Sequence, residues 1–179
     1  MSDETGTANT QRAGLTDAAP RGDERTTLLG FLARQRDLVA WKMLGASDEV
    51  LRSVSTSSGL TLHGVVRHLE NVERWWFRDV FAGIEGLEYA WTDADPDGEW
   101  HVPVELSMEF LLANYAAESQ KCDEFINAAA SLDAISAQRD VSLRWILVHL
   151  IEETARHLGH IDILRELADA TVGEEPEID

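Results

Sequence analysis

Apolar positions recur along this chain at helical spacing in four long stretches, and nowhere do they alternate for long at the period of a strand. In "ERTTLLGFLARQRDLVAWKML", Leu28, Phe31, Leu32, Leu38 and Trp41 fall near a 3.6-residue period and predict a first helix beginning at about Asp23. Ser47 is placed to cap a short turn from Asp48 to Ser53, and "STSSG" reads as a linker. Thr61 caps a second long helix over 61–82, whose stripe is Leu62, Val65, Leu69, Val72, Trp76 and Val80. Ser107 caps a third over 107–130, with Phe110, Leu111, Tyr115, Cys122 and Phe125 inward, and Ser142 opens a fourth over 142–170. Between the second and third helices, residues 83–106 carry Gly, Asp and Pro turn signals together with Tyr89, Trp91, Trp100 and Val102. A connection that long and that aromatic is expected to pack back on the helices and wall a pocket. The pattern predicts an all-α fold, a four-helix bundle.

Two residues break the stripe of the fourth helix. Ile146, Leu150, Glu153, His157, Ile161 and Leu164 follow one helical face, yet two of the six are a carboxylate and an imidazole. A buried carboxylate without a partner costs several kcal/mol. Residues i and i+4 stand one above the other, so Glu153 and His157 can converge on one point. His68 on the second helix, beside the Leu69 line, points at or near the same core. Two His and one carboxylate would leave a coordination position open, as in catalytic rather than structural zinc sites, and the same donors suit iron or nickel. A plain hydrogen-bonded pair, joined by Arg156 or Arg74, accounts for the same spacing, and both readings stay open on the residues alone. The chain contains neither Glu-x-x-His nor His-Glu-x-x-His.

Composition narrows the setting. The 179 residues suit one domain, and 15 basic against 33 acidic residues give a formal charge of −18. That charge disfavours nucleic acid and anionic membrane surfaces as partners. No apolar run approaches the roughly 18 residues of a membrane span, and the N-terminal residues lack a signal-peptide pattern. Cys122, the only cysteine, reads as a small buried apolar residue and fits a reducing, cytoplasmic setting. Residues 1–22 are polar and read as a disordered tail, 23–172 as the bundle, and 173–179 as an acidic frayed tail.

Two motifs carry a resemblance. "LHGVVRHLENVERWWF", followed by "SLRWILVHLIEETARHLGHIDILRE", is similar to the DinB-like superfamily over about residues 24–170, and most to its actinobacterial mini-circle or DinB branch. The resemblance implies an up-up-down-down four-helix bundle with a long crossover connection. It also implies a zinc or nickel site, which carries over to His68, Glu153 and His157. Many members have His where this chain has Glu153, a form it shares with the N-terminal domain of the mycothiol-dependent maleylpyruvate isomerases. Relative to three His, the carboxylate lowers the charge of the site and makes the metal a weaker Lewis acid. The activity implied is transfer of a low-molecular-weight thiol, mycothiol among them, to a small electrophile through a metal-bound thiolate. The alternative is a non-catalytic metal-carrying bundle of a stress response that binds a small ligand or a partner protein. A homodimer is compatible with the family. Beside the ligands, Trp75, His149 and His160 are candidates to line the pocket, His149 as an outer hydrogen-bond partner or an alternative ligand. Trp76 is assigned to the core, and His63 and His101 to the surface.

Overall fold

The computed structural model describes residues 15–173. Among them are five helices: α1 (Glu24–Lys42), α2 (Asp48–Arg52), α3 (Leu62–Glu73), α4 (Met108–Ala128) and α5 (Leu143–Asp169). The protein is all-α, and Ile135 and Ser142 form only an isolated bridge. α1 packs along α5, α3 along α4, and α3 also meets α5. The predicted caps are in place: the side chains of Ser47, Thr61, Ser107 and Ser142 accept from Val50, Gly64, Phe110 and Trp145 N–H. Asp23 caps α1 in the same way through Thr26 N–H.

The second predicted helix does not run regularly to its end. After Glu73 it continues as eight π-helical residues, Arg74–Phe81. The Ala82 N–H reaches back to the Phe77 carbonyl, five residues earlier. Such wider turns are frequent at functional sites, and this one carries Trp75 and Trp76.

The core has two apolar halves. One gathers Val39, Met43, Val65, Leu69, Leu111, Ile161 and Leu164. The other gathers Leu32, Phe77, Val80, Cys122, Ile126, Ile146 and Leu150. Polar residues lie between the two on each long helix, the largely buried Arg36 on α1 and the buried Glu70, Asn71 and Glu73 on α3, Glu118 and Ser119 on α4, and Thr154 and His157 on α5. A polar layer therefore crosses the interior. Its charges are paired: Arg36 grips Glu73 through Nε and Nη2 at 2.8 and 2.6 Å, and Arg78 reaches Glu118 at 2.8 Å.

Some predicted inward positions face out. Phe31 and Phe110 are exposed, because α1 and α4 bury the neighbouring Leu32 and Leu111 instead. His63, assigned to the surface, is buried and shares 2.8 Å with the Asp48 carboxylate. His101 is exposed as expected, beside Asp95. Residues 15–22, assigned to the tail, lie against α1: Thr16 N–H donates to Asp37 at 2.6 Å, and Ala18 comes so close to Gly30 that a side chain there would clash. Residues 1–14 and 174–179 lie outside the described residues, so the expectations for both tails bear here only on 15–22 and Gly173.

Asp48 ties three segments together, accepting from His63, from the Met108 N–H at 2.7 Å and from Arg52 at 2.8 Å. Burial works against its charge, but His63, the Met108 amide and Arg52 hold its carboxyl well below the usual range. Burial also pushes the His63 ring down, against the pull of Asp48. Both groups bind protons more readily unfolded than folded, so stability is lost as pH falls below about 6.5 and again below about 4. Thermal midpoints measured below about pH 4 should fall less steeply in Asp48→Asn than in the wild type, while the fall between about pH 6.5 and 4 should steepen because His63 loses its counter-charge. Equal slopes would show that this cluster does not govern acid sensitivity.

Candidate metal centre

α5 presents Glu153 and His157 on one face, and α3 brings His68 opposite them. The Nε2 atoms of His68 and His157 lie 3.3 and 3.2 Å from Glu153 Oε1. One donor atom from each of the three residues falls within 4.8 Å of the others. All three are largely buried, with side-chain exposures of 14%, 15% and 10% for His68, Glu153 and His157. The second oxygen of Glu153 accepts from Arg156 at 3.1 Å, so the partner considered from the sequence is present, but on the outer side of the carboxylate.

The donor spacing suits a small cation. At ligand distances of about 2.0–2.2 Å, a tetrahedral ion holds neighbouring donors about 3.3–3.6 Å apart. The two Nε2–Oε1 separations are of that size. The protonation states are also sorted. Burial, and then the positive charge of His68, push His157 down to about 4, so its ring is neutral at pH 7. Burial opposes charge on His68 too, but Glu99 and Glu153 more than offset it and raise its pKa. The Glu153 carboxyl is held low, its burial outweighed by the two imidazoles and Arg156.

A cleft of about 560 Å³ opens beside these residues, lined by His68, Val72, Trp75, Trp76, Trp91, Pro96, Glu99, His149 and Glu153. Trp75 and His149 therefore stand in its wall, and the buried Trp76 contributes a face as well. His149 does not reach the ligand atoms with its ring contacts; it stacks on Trp145 and meets Trp76 edge-on. His160, expected at the pocket mouth, is not in this wall but sits against His157, with Nδ1 atoms 3.3 Å apart. One helical turn separates these two residues, which places their rings side by side.

The 83–106 segment packs back as expected. Arg67 donates to the Gly98 carbonyl at 3.1 Å and Tyr89 OH to Asp79 at 2.9 Å. Trp91 lines the cleft, and Trp100 stacks on the His68 ring at 4.6 Å. The sequence reading missed Glu99, whose Oε1 lies 3.0 Å from His68 Nδ1. Its neighbours explain the fit. A Cβ on Gly98 would run into the Ala90 carbonyl oxygen, and one on Gly64 would sit 3.2 Å from Trp100. Gly98→Ala is therefore expected to dislodge Glu99 and Trp100 while leaving the helices formed. Tryptophan fluorescence should shift with little change in far-UV circular dichroism; an unshifted spectrum would mean the segment absorbs the methyl group.

The described residues thus form an all-α fold with a largely buried His–Glu–His cluster between two helices, beside a cleft walled in part by a long aromatic connection. The family model described as mycothiol S-transferase matches residues 27–170, and the chain belongs to that family within the DinB-like superfamily. Comparison with curated proteins found no match.

Proposed function

We propose that this protein transfers a low-molecular-weight thiol of the mycothiol type to a small electrophile, and that His68, Glu153 and His157 hold one divalent cation, zinc by preference, with nickel or iron compatible with the donors. The observation that carries the reading is the approach of two imidazole Nε2 atoms to one carboxylate oxygen at 3.2–3.3 Å, beside an open cleft. Bound there, the cation would favour the thiolate form of an incoming thiol. The residues of the chain do the rest. His157, neutral at pH 7, keeps a lone pair available. Glu153 supplies the negative donor, and its outer oxygen is steadied by Arg156. Val72, Trp75, Trp76, Trp91 and Pro96 offer an apolar wall against which a small electrophile can pack.

The chain offers no rival nucleophile in Cys122. Its thiol is buried on α4, donates toward the Glu73 carbonyl at 3.5 Å, and is pushed up by burial and by Glu73. The attacking sulfur therefore belongs to the substrate. With this reading go an up-up-down-down bundle over 23–172, a cytoplasmic setting and a homodimer.

The test is metal content and thiol consumption in protein purified without chelators or an affinity metal. Near one cation per chain, and consumption of mycothiol with a model electrophile that stops in the apo-protein, are expected, with bacillithiol, glutathione and cysteine as comparisons. Activity unchanged in the apo-protein would exclude the cation from the reaction. Stoichiometric cation without activity on any thiol would favour a non-catalytic binding bundle.

A further inference from the structure

His68 is held on both nitrogens. Nε2 faces Glu153 Oε1 at 3.3 Å, and Nδ1 faces Glu99 Oε1 at 3.0 Å. Trp100, the next residue after Glu99, stacks on the ring with its plane inclined by 24°. Two consecutive residues of the connection therefore fix one imidazole, one by a hydrogen bond at its edge and the other by covering its face. Glu99 does not join the three residues whose donor atoms share one point. Its other oxygen, Oε2, is buried and has no hydrogen-bond partner. An orphan carboxylate oxygen is costly to keep, which argues that the position serves the contact made by Oε1.

We infer that Glu99 is a positioning residue for the metal centre: it accepts the Nδ1–H of His68, so that Nε2 carries the lone pair turned toward Glu153 and His157. The inference rests on the metal-site reading above. A ligating histidine requires its second ring nitrogen to be satisfied, because that bond selects the tautomer, sets the ring orientation and makes the ligating nitrogen more basic. Losing such a partner typically lowers metal affinity by about 10–100-fold. The connection thereby does more than wall the cleft: its docking through Gly64, Gly98 and Arg67 decides whether Glu99 reaches His68.

The test is a zinc titration against a competing chelator on Glu99→Ala, Glu99→Gln and, as a control for net charge, Glu85→Gln in the same segment. Glu85 is exposed. Affinity should fall about 10–100-fold in Glu99→Ala. It should recover in part in Glu99→Gln, whose amide oxygen still accepts a hydrogen bond, and stay at the wild-type value in Glu85→Gln. An unchanged Glu99→Ala, or an equal loss in Glu85→Gln, overturns the inference. A second readout needs no metal: imidazole nitrogen shifts of His68 in the apo-protein, at a pH where the ring is neutral, should show the Nδ1–H tautomer in the wild type and a shift toward Nε2–H in Glu99→Ala. An Nε2–H tautomer in the wild type overturns it as well. If the wild type binds no zinc yet shows the Nδ1–H tautomer, the metal-site reading fails while the role of Glu99 in orienting His68 stands.

Discussion

Replacing His157 with alanine is expected to lower zinc affinity several hundredfold and to abolish metal-dependent thiol consumption, with most helicity retained. A complete four-ligand zinc site is worth roughly 10–16 kcal/mol, so a single ligand corresponds to about 2.5–4 kcal/mol. His157 is one of three residues, among those described, whose donor atoms converge, its Nε2 lying 3.2 Å from Glu153 Oε1. The helices should survive, because the apolar halves of the core lie above and below the site and do not depend on it. His149→Ala is the contrast. That ring stacks on Trp145 and touches Trp76, so its loss should leave zinc affinity unchanged and raise the KM of whichever substrate occupies the cleft. A loss of affinity in His149→Ala equal to that in His157→Ala would mean the wrong histidine of α5 has been assigned.

The second, third and fourth long helices were legible in the sequence because each is signalled twice, by a side chain that caps its first turn and by a 3.6-residue stripe behind it; α1 showed by its stripe and α2 by its cap alone. Glu153 and His157 stood out for the same reason: a polar residue on an apolar stripe is visible without any partner. What could not be read were contacts that join distant segments. Glu99 sits in a turn-rich connection with no periodicity, and only the docking of that connection brings it to His68, 31 positions earlier. The burial of His63 depends in the same way on Asp48, 15 positions earlier. Phe31 and Phe110 mislead because apolar side chains at helical spacing cover a wider arc than the buried face, and nothing local says which edge turns outward. The π-helical run after Glu73 is equally silent, since Arg74–Phe81 keeps the spacing of an ordinary helix until tertiary packing widens it. The polar layer was half visible. Glu153 and His157 belong to it, but Arg36, Glu73 and Glu118 lie among charged neighbours and read as solvated faces.

That layer leads to the largest expected change in stability. Glu73→Ala should destabilise the fold by about 3–5 kcal/mol, the usual cost of removing one member of a buried ion pair. Glu73 has a side-chain exposure of 1% and holds Arg36, itself at 11%, through two parallel hydrogen bonds. Without it the Arg36 guanidinium stays between α1 and α4 with Asp123, whose side chain is 47% exposed, as its charged partner among the described residues. At about 2–4 °C per kcal/mol for a chain of this size, the thermal midpoint should drop by about 6–20 °C. The same physics makes a sharper prediction for the double variant Arg36→Met, Glu73→Leu. Removing both charges removes the desolvation cost of both, so the double variant should recover much of the stability lost in the single one. Denaturant unfolding of the wild type, Arg36→Met, Glu73→Leu and the double variant closes the cycle. If Glu73→Ala costs under about 1 kcal/mol, the range of exposed pairs, then the Arg36–Glu73 contact is no buried lock and the polar layer does not hold α1 to α3.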